Sequence, residues 1–103
     1  MKVMMTDFAK NQIRKTARYI NKEFGRQSKN KFLLEVRQTK CLLETNPFLG
    51  SIEPLLADRP TTYYSIVANH LSKMVYRIMD DYLEVADFWD TRREPEKQAG
   101  QTK

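Results

Sequence analysis

Four basic residues recur at every fourth position near the N-terminus: Lys10, Arg14, Arg18 and Lys22. On a helix this spacing places them in one row, and a row of like charges costs roughly a few tenths of a kcal/mol per pair unless an anion compensates it. The first 40 residues contain eleven Lys/Arg and three acidic residues, whereas the remainder contains seven and ten. The row therefore predicts a surface for nucleic acid or an acidic protein segment, with solvent and salt as the alternative.

Other side chains that often perform chemistry occur singly. His70 is the only histidine and Cys41 the only cysteine, so an internal disulfide is excluded and no metal-ligand cluster is predicted. Cys41 lies in an apolar run and is expected to be buried. The chain has three glycines and no glycine-rich phosphate loop. We therefore predict neither a metal nor a cofactor.

The composition is typical of one small folded domain. The chain has 103 residues, of which 41% are hydrophobic and 30% charged. We predict a single domain over residues 1–95 and a polar, disordered tail over residues 96–103. No apolar stretch approaches the roughly 18 residues that span a bilayer, and the N-terminal apolar run is too short for a signal peptide. A cytoplasmic location without membrane contact is expected.

The first half of the chain predicts a strand and a helical hairpin. Residues 2–5 are apolar enough for a strand, and the Thr6-Asp7 pair offers a side-chain oxygen to cap the next helix. That helix ends at Gly25, and a second helix, capped by Ser28, ends at Asn46-Pro47. The predicted apolar stripes are Ala9, Ile13, Ala17, Ile20 and Phe24 on the first helix and Phe32, Leu33, Val36, Leu42 and Leu43 on the second.

The second half predicts a sheet. Residues 47–61 contain three of the four prolines and form an irregular loop. Three segments rich in β-branched and aromatic residues follow, at 63–68, 73–78 and 82–89, and their tight connections predict antiparallel pairing. The predicted fold is α+β with the order β-α-α-β-β-β. Its antiparallel sheet is covered on one face by the two-helix hairpin, and function is expected on the other, open face.

This order of elements and several local motifs resemble the RelE/ParE toxin superfamily, specifically its plasmid-stabilisation-like branch, over residues 3–95. The resemblance implies a RelE/ParE-like toxin of a type II toxin–antitoxin system, which inhibits bacterial growth and is neutralised by a cognate antitoxin. The motifs are Thr6-Asp7-Phe8-Ala9, Phe24-Gly25, Asn46-Pro47-Phe48-Leu49-Gly50, Met74-Val75-Tyr76-Arg77-Ile78 with Asp80-Asp81, and Asp87-Phe88-Trp89-Asp90-Thr91-Arg92-Arg93-Glu94-Pro95.

The resemblance leaves the molecular target open. RelE-like members cleave mRNA on the ribosome, whereas ParE-like members poison DNA gyrase, and a fold alone does not choose between them. Whether the chain is an enzyme is open for the same reason. A third possibility is an inactive relative that serves as a binding module for its antitoxin and the DNA that the antitoxin holds.

Cleavage of RNA through its 2′-hydroxyl needs a proton acceptor, cations for the phosphorane and an acid for the leaving oxygen. By the resemblance, Lys73 and Arg93 align with family arginines and would hold the phosphate. Tyr76, or Tyr64, would transfer the proton. Arg77 ranks third among the cations, and its structural alternative is an ion pair with an acid such as Glu84.

The chain departs from the ribonuclease members in two places. Where they carry two alternating basic residues, this strand reads Tyr64-Ser65-Ile66, and no room remains after Pro95 for the helix that bears their C-terminal tyrosine. These departures favour the gyrase type slightly. The predicted partner-binding residues are Lys10, Arg14, Arg18 and Lys22 of the first helix together with Arg92, for which a structural ion pair at the strand end is the alternative.

Overall fold

The structure, a computed structural model, describes residues 1–69 and 72–90. The predicted order β-α-α-β-β-β is confirmed, and the proline-rich loop adds a two-residue strand and a 3₁₀ turn. The predicted tail, 96–103, lies outside the described residues. The elements are β1 (Lys2–Met5), α1 (Asp7–Phe24), α2 (Arg26–Thr45), β2 (Ser51–Ile52), the 3₁₀ turn (Pro54–Leu56), β3 (Tyr64–Asn69), β4 (Ser72–Ile78) and β5 (Tyr82–Asp90).

A single glycine joins the two helices. The Thr6 Oγ1 accepts a hydrogen bond from the Ala9 N–H at 3.1 Å and begins α1 as a side-chain cap. Gly25 ends it with φ +94° and ψ 176°, a conformation that is essentially restricted to glycine. Because α2 starts at once, the cap predicted at Ser28 is wrong: its hydroxyl donates to the Phe24 carbonyl at 3.3 Å. The predicted helical hairpin is confirmed.

The helices bury one face each. In α1 the buried residues recur every fourth position as predicted, and in α2 Phe32, Val36 and Leu43 are buried as predicted. Four residues are exposed, contrary to expectation: Phe24, Leu33, Cys41 and Leu42. Cys41 and Leu42 lie about 200° and 100° around the helix from the buried Leu43. The outer faces carry charged residues together with exposed apolar side chains such as Phe8 and Leu34. Neither described helix is long and apolar enough to cross a membrane.

The sheet has the strand order β1-β5-β4-β3-β2. The hairpins β3–β4 and β4–β5 are antiparallel, as predicted for strands joined by short turns. β1 instead pairs in parallel with β5, from Lys2 opposite Tyr82 to Met5 opposite Val85, so the sheet is mixed rather than wholly antiparallel. This is possible because the helical hairpin between β1 and the other strands provides the long crossover that a parallel pair needs.

Each face of the sheet has its own core. On the helix side, Phe32 packs edge-on against Phe88 with ring centroids 5.7 Å apart, within the main core. On the opposite face, residues 53–63, which we call the cover loop, fold back so that Leu56 and Tyr63 pack on Val75 and Trp89. We call this face the loop side. The expectation of a fully open second face is therefore wrong over these strands.

The Asn46–Gly50 motif attaches the end of α2 to the sheet through Tyr76. The Tyr76 hydroxyl donates to the Pro47 carbonyl at 2.9 Å and accepts from the Gly50 N–H at 3.0 Å. Gly50 lies so close that a Cβ there would be 2.6 Å from both the Ser65 carbonyl oxygen and the Tyr76 hydroxyl. The glycine is therefore required for the close approach of two chain segments.

Candidate functional site on the loop side of the sheet

Lys73 lies at the centre of the loop side, opposite Trp89 in the β4–β5 register. Its ammonium group forms an ion pair with Glu53 of the cover loop and lies 5.0 Å from the centroid of the Trp89 ring, a cation–π distance. The Lys73 side chain is 24% exposed and that of Glu53 is 1% exposed. The lysine predicted to hold a phosphate therefore already has an anionic partner within the chain.

The Glu53 carboxylate is buried, and its oxygens accept hydrogen bonds from neighbouring groups. Besides Lys73, it accepts a hydrogen bond from the Leu55 N–H at 3.0 Å, which also caps the 3₁₀ turn. Burial raises the pKa of this carboxyl, but the hydrogen bonds from Lys73, Leu55 and Ser65 outweigh it, and the net pKa lies below its usual value. Glu53 therefore stays ionised and keeps Lys73 paired.

The pKa of Glu53 predicts a pH-dependent contribution to stability. Because the folded pKa lies below the usual 4.5, the contribution is complete above that pH and is lost as the pH falls through the folded pKa. We expect Glu53→Gln to be clearly less stable than the parent at neutral pH and to approach it once the pH falls below the folded pKa, where the protonated acid resembles the amide. Urea denaturation of both chains across this range measures the difference, and a difference that stayed constant would contradict the expectation.

Asp87 fixes the orientation of the Trp89 ring through a hydrogen bond. The indole N–H donates to Asp87 Oδ2 at 2.8 Å, and the Phe88 N–H donates to Asp87 Oδ1 at 2.7 Å. Asp87 and Trp89 are 0% and 1% exposed. Trp89 is therefore a packed aromatic residue, and its ring forms one wall of the site around Lys73.

Arg77 also has a partner. Its Nε donates to Glu84 Oε1 at 2.8 Å, across directly paired positions of β4 and β5. Both side chains are partly exposed, at 29% and 20%. The ion pair given as the structural alternative is therefore present, and it neutralises the charge of Arg77 through its Nε.

Tyr76 lies on the helix side, so the structure separates it from Lys73 instead of bringing the two together. It is 0% exposed and stacks on Tyr64 with ring centroids 5.6 Å apart. Burial raises the pKa of its phenol, which keeps the hydroxyl protonated in its two hydrogen bonds. The hydroxyl is thus engaged within the fold, and the proton-transfer role of Tyr76 stays a prediction.

The remaining predicted residues are divided between the helices and the C-terminus. Arg92 and Arg93 lie outside the described residues, as does His70. The row on α1 is fully exposed, and within it Arg14 donates to Asn11 Oδ1 at 3.0 Å. The members of this row, Lys10, Arg14, Arg18 and Lys22, face solvent away from the sheet.

Glu53 was missed by the sequence analysis. A possible signal was a carboxylate enclosed by Ile52, Leu55 and Leu56, because an acid in such an apolar setting needs a partner. In residues 1–69 and 72–90, no three His, Cys, Asp or Glu side chains come together as metal ligands. The described site is thus a paired lysine between a buried acid and an aromatic ring, and it contains no free general base.

The chain is a small α+β protein in which two helices cover one face of a five-stranded mixed sheet. It has the fold of the RelE/ParE-type toxins, as two solved structures show. One, the chromosomal ParDE TA system from P. aeruginosa, has a TM-score of 0.74, with 11% identity over 89% of this chain and 97% of that one. The other, a YoeB dimer from Staphylococcus aureus, has a TM-score of 0.55, with 19% identity over 84% and 92%. No protein-family model and no curated protein matches.

Proposed function

We propose that this chain is the toxin of a type II toxin–antitoxin pair and is neutralised by a cognate antitoxin. The fold shared with the two toxin-system structures supports this proposal. At such low identity the activity does not follow from the fold, so the target is argued from the side chains of the site. The proposed place of action is the bacterial cytoplasm, where the targets of this superfamily work.

Of the two targets that the resemblance offers, we propose DNA gyrase, bound without chemistry by the toxin. The observation that carries this choice is the Glu53–Lys73 ion pair beneath the cover loop. Strands β3–β5 contain two cationic residues, and both are paired with carboxylates. A group that holds a phosphorane must be free to approach it, and the described part of the site offers no such cation.

A ribonuclease acting on ribosome-bound mRNA is the second candidate. In its favour, the Lys73 side chain keeps 24% of its surface exposed. If Glu53 were displaced when substrate binds, Lys73 would become available as a phosphate ligand. This candidate differs from the first in one testable respect, because it requires the charge of Lys73.

The two targets can be separated in growing cells. We expect induced expression to stop growth, with thymidine incorporation falling before amino-acid incorporation. The variant Glu53→Leu/Lys73→Met, which replaces the ion pair by apolar side chains of similar size, is expected to remain toxic. Purified protein is expected to inhibit DNA supercoiling by gyrase and to leave cell-free translation unaffected.

Different outcomes identify the alternatives. Amino-acid incorporation that falls first, together with a harmless Glu53→Leu/Lys73→Met variant, would establish the ribonuclease. Unimpeded growth with soluble protein present would leave the inactive binding module. The exchange Lys2→Gln is a matched control, since it removes one exposed cation from β1 without touching the ion pair.

A further inference from the structure

The tip of the helical hairpin concentrates positive charge. Residues 14–31 contain seven Lys/Arg and one acidic residue, Glu23. The ion pairs within the described residues, Arg59–Asp58, Lys73–Glu53 and Arg77–Glu84, all lie elsewhere. Among the described residues none of these seven cations forms an ion pair, and they outnumber the carboxylates of the segment, which favours a polyanionic partner.

Two aromatic rings are exposed among these cations. Tyr19 and Phe24, near the end of α1, are 45% and 63% exposed and pack edge-on with ring centroids 6.4 Å apart. Arg18 directly precedes Tyr19, and Lys22 lies between the two rings in the sequence, two residues before Phe24. Rings interleaved with cations are the combination by which proteins hold single-stranded nucleic acid, because bases stack on the rings while phosphates bind the cations.

The same rings border a cleft of about 290 Å³ between the hairpin tip and the ends of β3, β4 and β5. Its apolar wall is formed by Tyr19, Ile20, Phe24 and Phe32, and Lys31 lies at its edge. Its volume is at the small end of ligand-sized pockets. The cleft can therefore accept a flat ring that lies against the exposed aromatic side chains.

The polar lining suits the edge of a base better than a phosphate. Ser28 and Ser72 line the cleft with hydroxyl groups that donate to the Phe24 carbonyl and to Asn69 Oδ1, so their oxygens can still accept hydrogen bonds. The carboxylates of Glu35 and Asp90 also line the cleft. These two carboxylates would repel a phosphate inside the cleft but can accept hydrogen bonds from the amino groups of a base. The chemistry therefore places the base inside and the backbone outside, on the cations.

We propose that the hairpin tip binds single-stranded nucleic acid, with its phosphates on Arg18, Lys22 and Lys31 and one unstacked base in the cleft against Tyr19 and Phe24. A duplex does not fit as well, because its base faces are stacked and cannot reach the rings. An acidic peptide would use the cations but not the rings. The site lies on the helix side of the sheet, away from Lys73, and does not depend on the toxin's target.

Fluorescence anisotropy with labelled oligo-dT and oligo-rU of about ten nucleotides tests the site, with a duplex of equal length for comparison. The variant Tyr19→Leu/Phe24→Leu keeps apolar side chains but removes the rings, and we expect it to raise Kd for both single strands at least about tenfold. The variant Lys22→Gln/Lys31→Gln should lower the slope of log Kd against log salt by about 1.4. The control Lys2→Gln/Arg37→Gln removes the same charge elsewhere and should leave the slope nearly unchanged.

Three results would overturn the proposal: unchanged binding in the leucine variant, equal affinity for the duplex, or displacement of the oligonucleotide by polyglutamate as effectively as by unlabelled strand. Each of these results would mean that the hairpin tip is a general cationic surface with no binding site for a nucleobase. The single exchange Phe24→Leu serves if the double variant proves unstable by circular dichroism, because Phe24 is 63% exposed. A preference for oligo-rU or for oligo-dT would identify RNA or DNA as the ligand.

Discussion

Replacement of Glu53 by alanine is expected to lower the free energy of unfolding by about 3 kcal/mol, although the residue lies in a loop. The carboxylate is 1% exposed, and it is the group that neutralises Lys73 and caps the 3₁₀ turn. Removing it leaves the ammonium group partly buried beside Trp89 without its counter-ion. It also removes the acceptor of the Leu55 N–H.

A double-mutant cycle measured by urea denaturation tests this result. We expect Lys73→Ala to be destabilised as well, because it leaves the Glu53 carboxylate buried and unpaired. Glu53→Leu/Lys73→Met should lie within about 1 kcal/mol of the parent, since apolar replacement of both partners removes the desolvation cost together with the attraction. Additive single effects would contradict a coupled pair.

The Arg77–Glu84 pair provides a matched comparison within the same sheet. Its side chains are 29% and 20% exposed, so neither is enclosed as Glu53 is. We expect Glu84→Ala to cost about 1 kcal/mol or less, as is usual for ion pairs open to solvent. An equal loss in the free energy of unfolding for Glu53→Ala and Glu84→Ala would mean that the burial of Glu53 does not contribute to the destabilisation.

Gly50→Ala is expected to destabilise the fold by about 3 kcal/mol through overpacking and a lost hydrogen bond. The new Cβ would stand 2.6 Å from the Ser65 carbonyl oxygen and 2.6 Å from the Tyr76 hydroxyl. The Ser65 oxygen belongs to the sheet backbone and cannot move alone. The turn must therefore separate from β3, which also breaks the hydrogen bond from the Gly50 N–H to Tyr76.

Chemical denaturation of Gly50→Ala, Tyr76→Phe and the double variant checks the cause. Tyr76→Phe removes one clashing atom and should alone cost about 1–2 kcal/mol. In the Tyr76→Phe background, Gly50→Ala should lower the free energy of unfolding by less than it does in the parent. Some loss should remain, because the clash with the Ser65 carbonyl is still present. A neutral Gly50→Ala variant would show that the turn shifts without loss.

Features with short-range causes were predictable from the sequence. The buried series Ala9, Ile13 and Ala17 follows from a spacing of four along α1. The hairpins of β3, β4 and β5 follow from β-rich segments joined by short turns, and the Arg77–Glu84 pair is seven residues apart within one of these hairpins. The row of cations on α1 is exposed in the structure, but its role as a partner surface stays a prediction.

Features that join distant segments were not predictable in the same way. The parallel pairing of β1 with β5 spans the whole helical hairpin, and no local pattern distinguishes it from an antiparallel edge. Alternation along a strand predicts which residues share a face of the sheet. It does not predict which of the two faces the helices cover. Tyr76 was a candidate for proton transfer on the open face, and only the structure places it on the helix side.

The sequence by itself determined the α+β class, the helical hairpin, the three-stranded meander and the unequal distribution of charge, because each depends on residues close together along the chain. The tertiary structure alone decided that Lys73 is neutralised by Glu53, twenty residues earlier, and that Tyr76 holds the turn at Gly50. It also brought Tyr19 and Phe24 to the edge of a cleft formed with the strand ends. The physical reason is that a buried charge, a hydroxyl or a ring acquires its role from the groups that the folded chain places around it, and these come from segments whose approach no local spacing records.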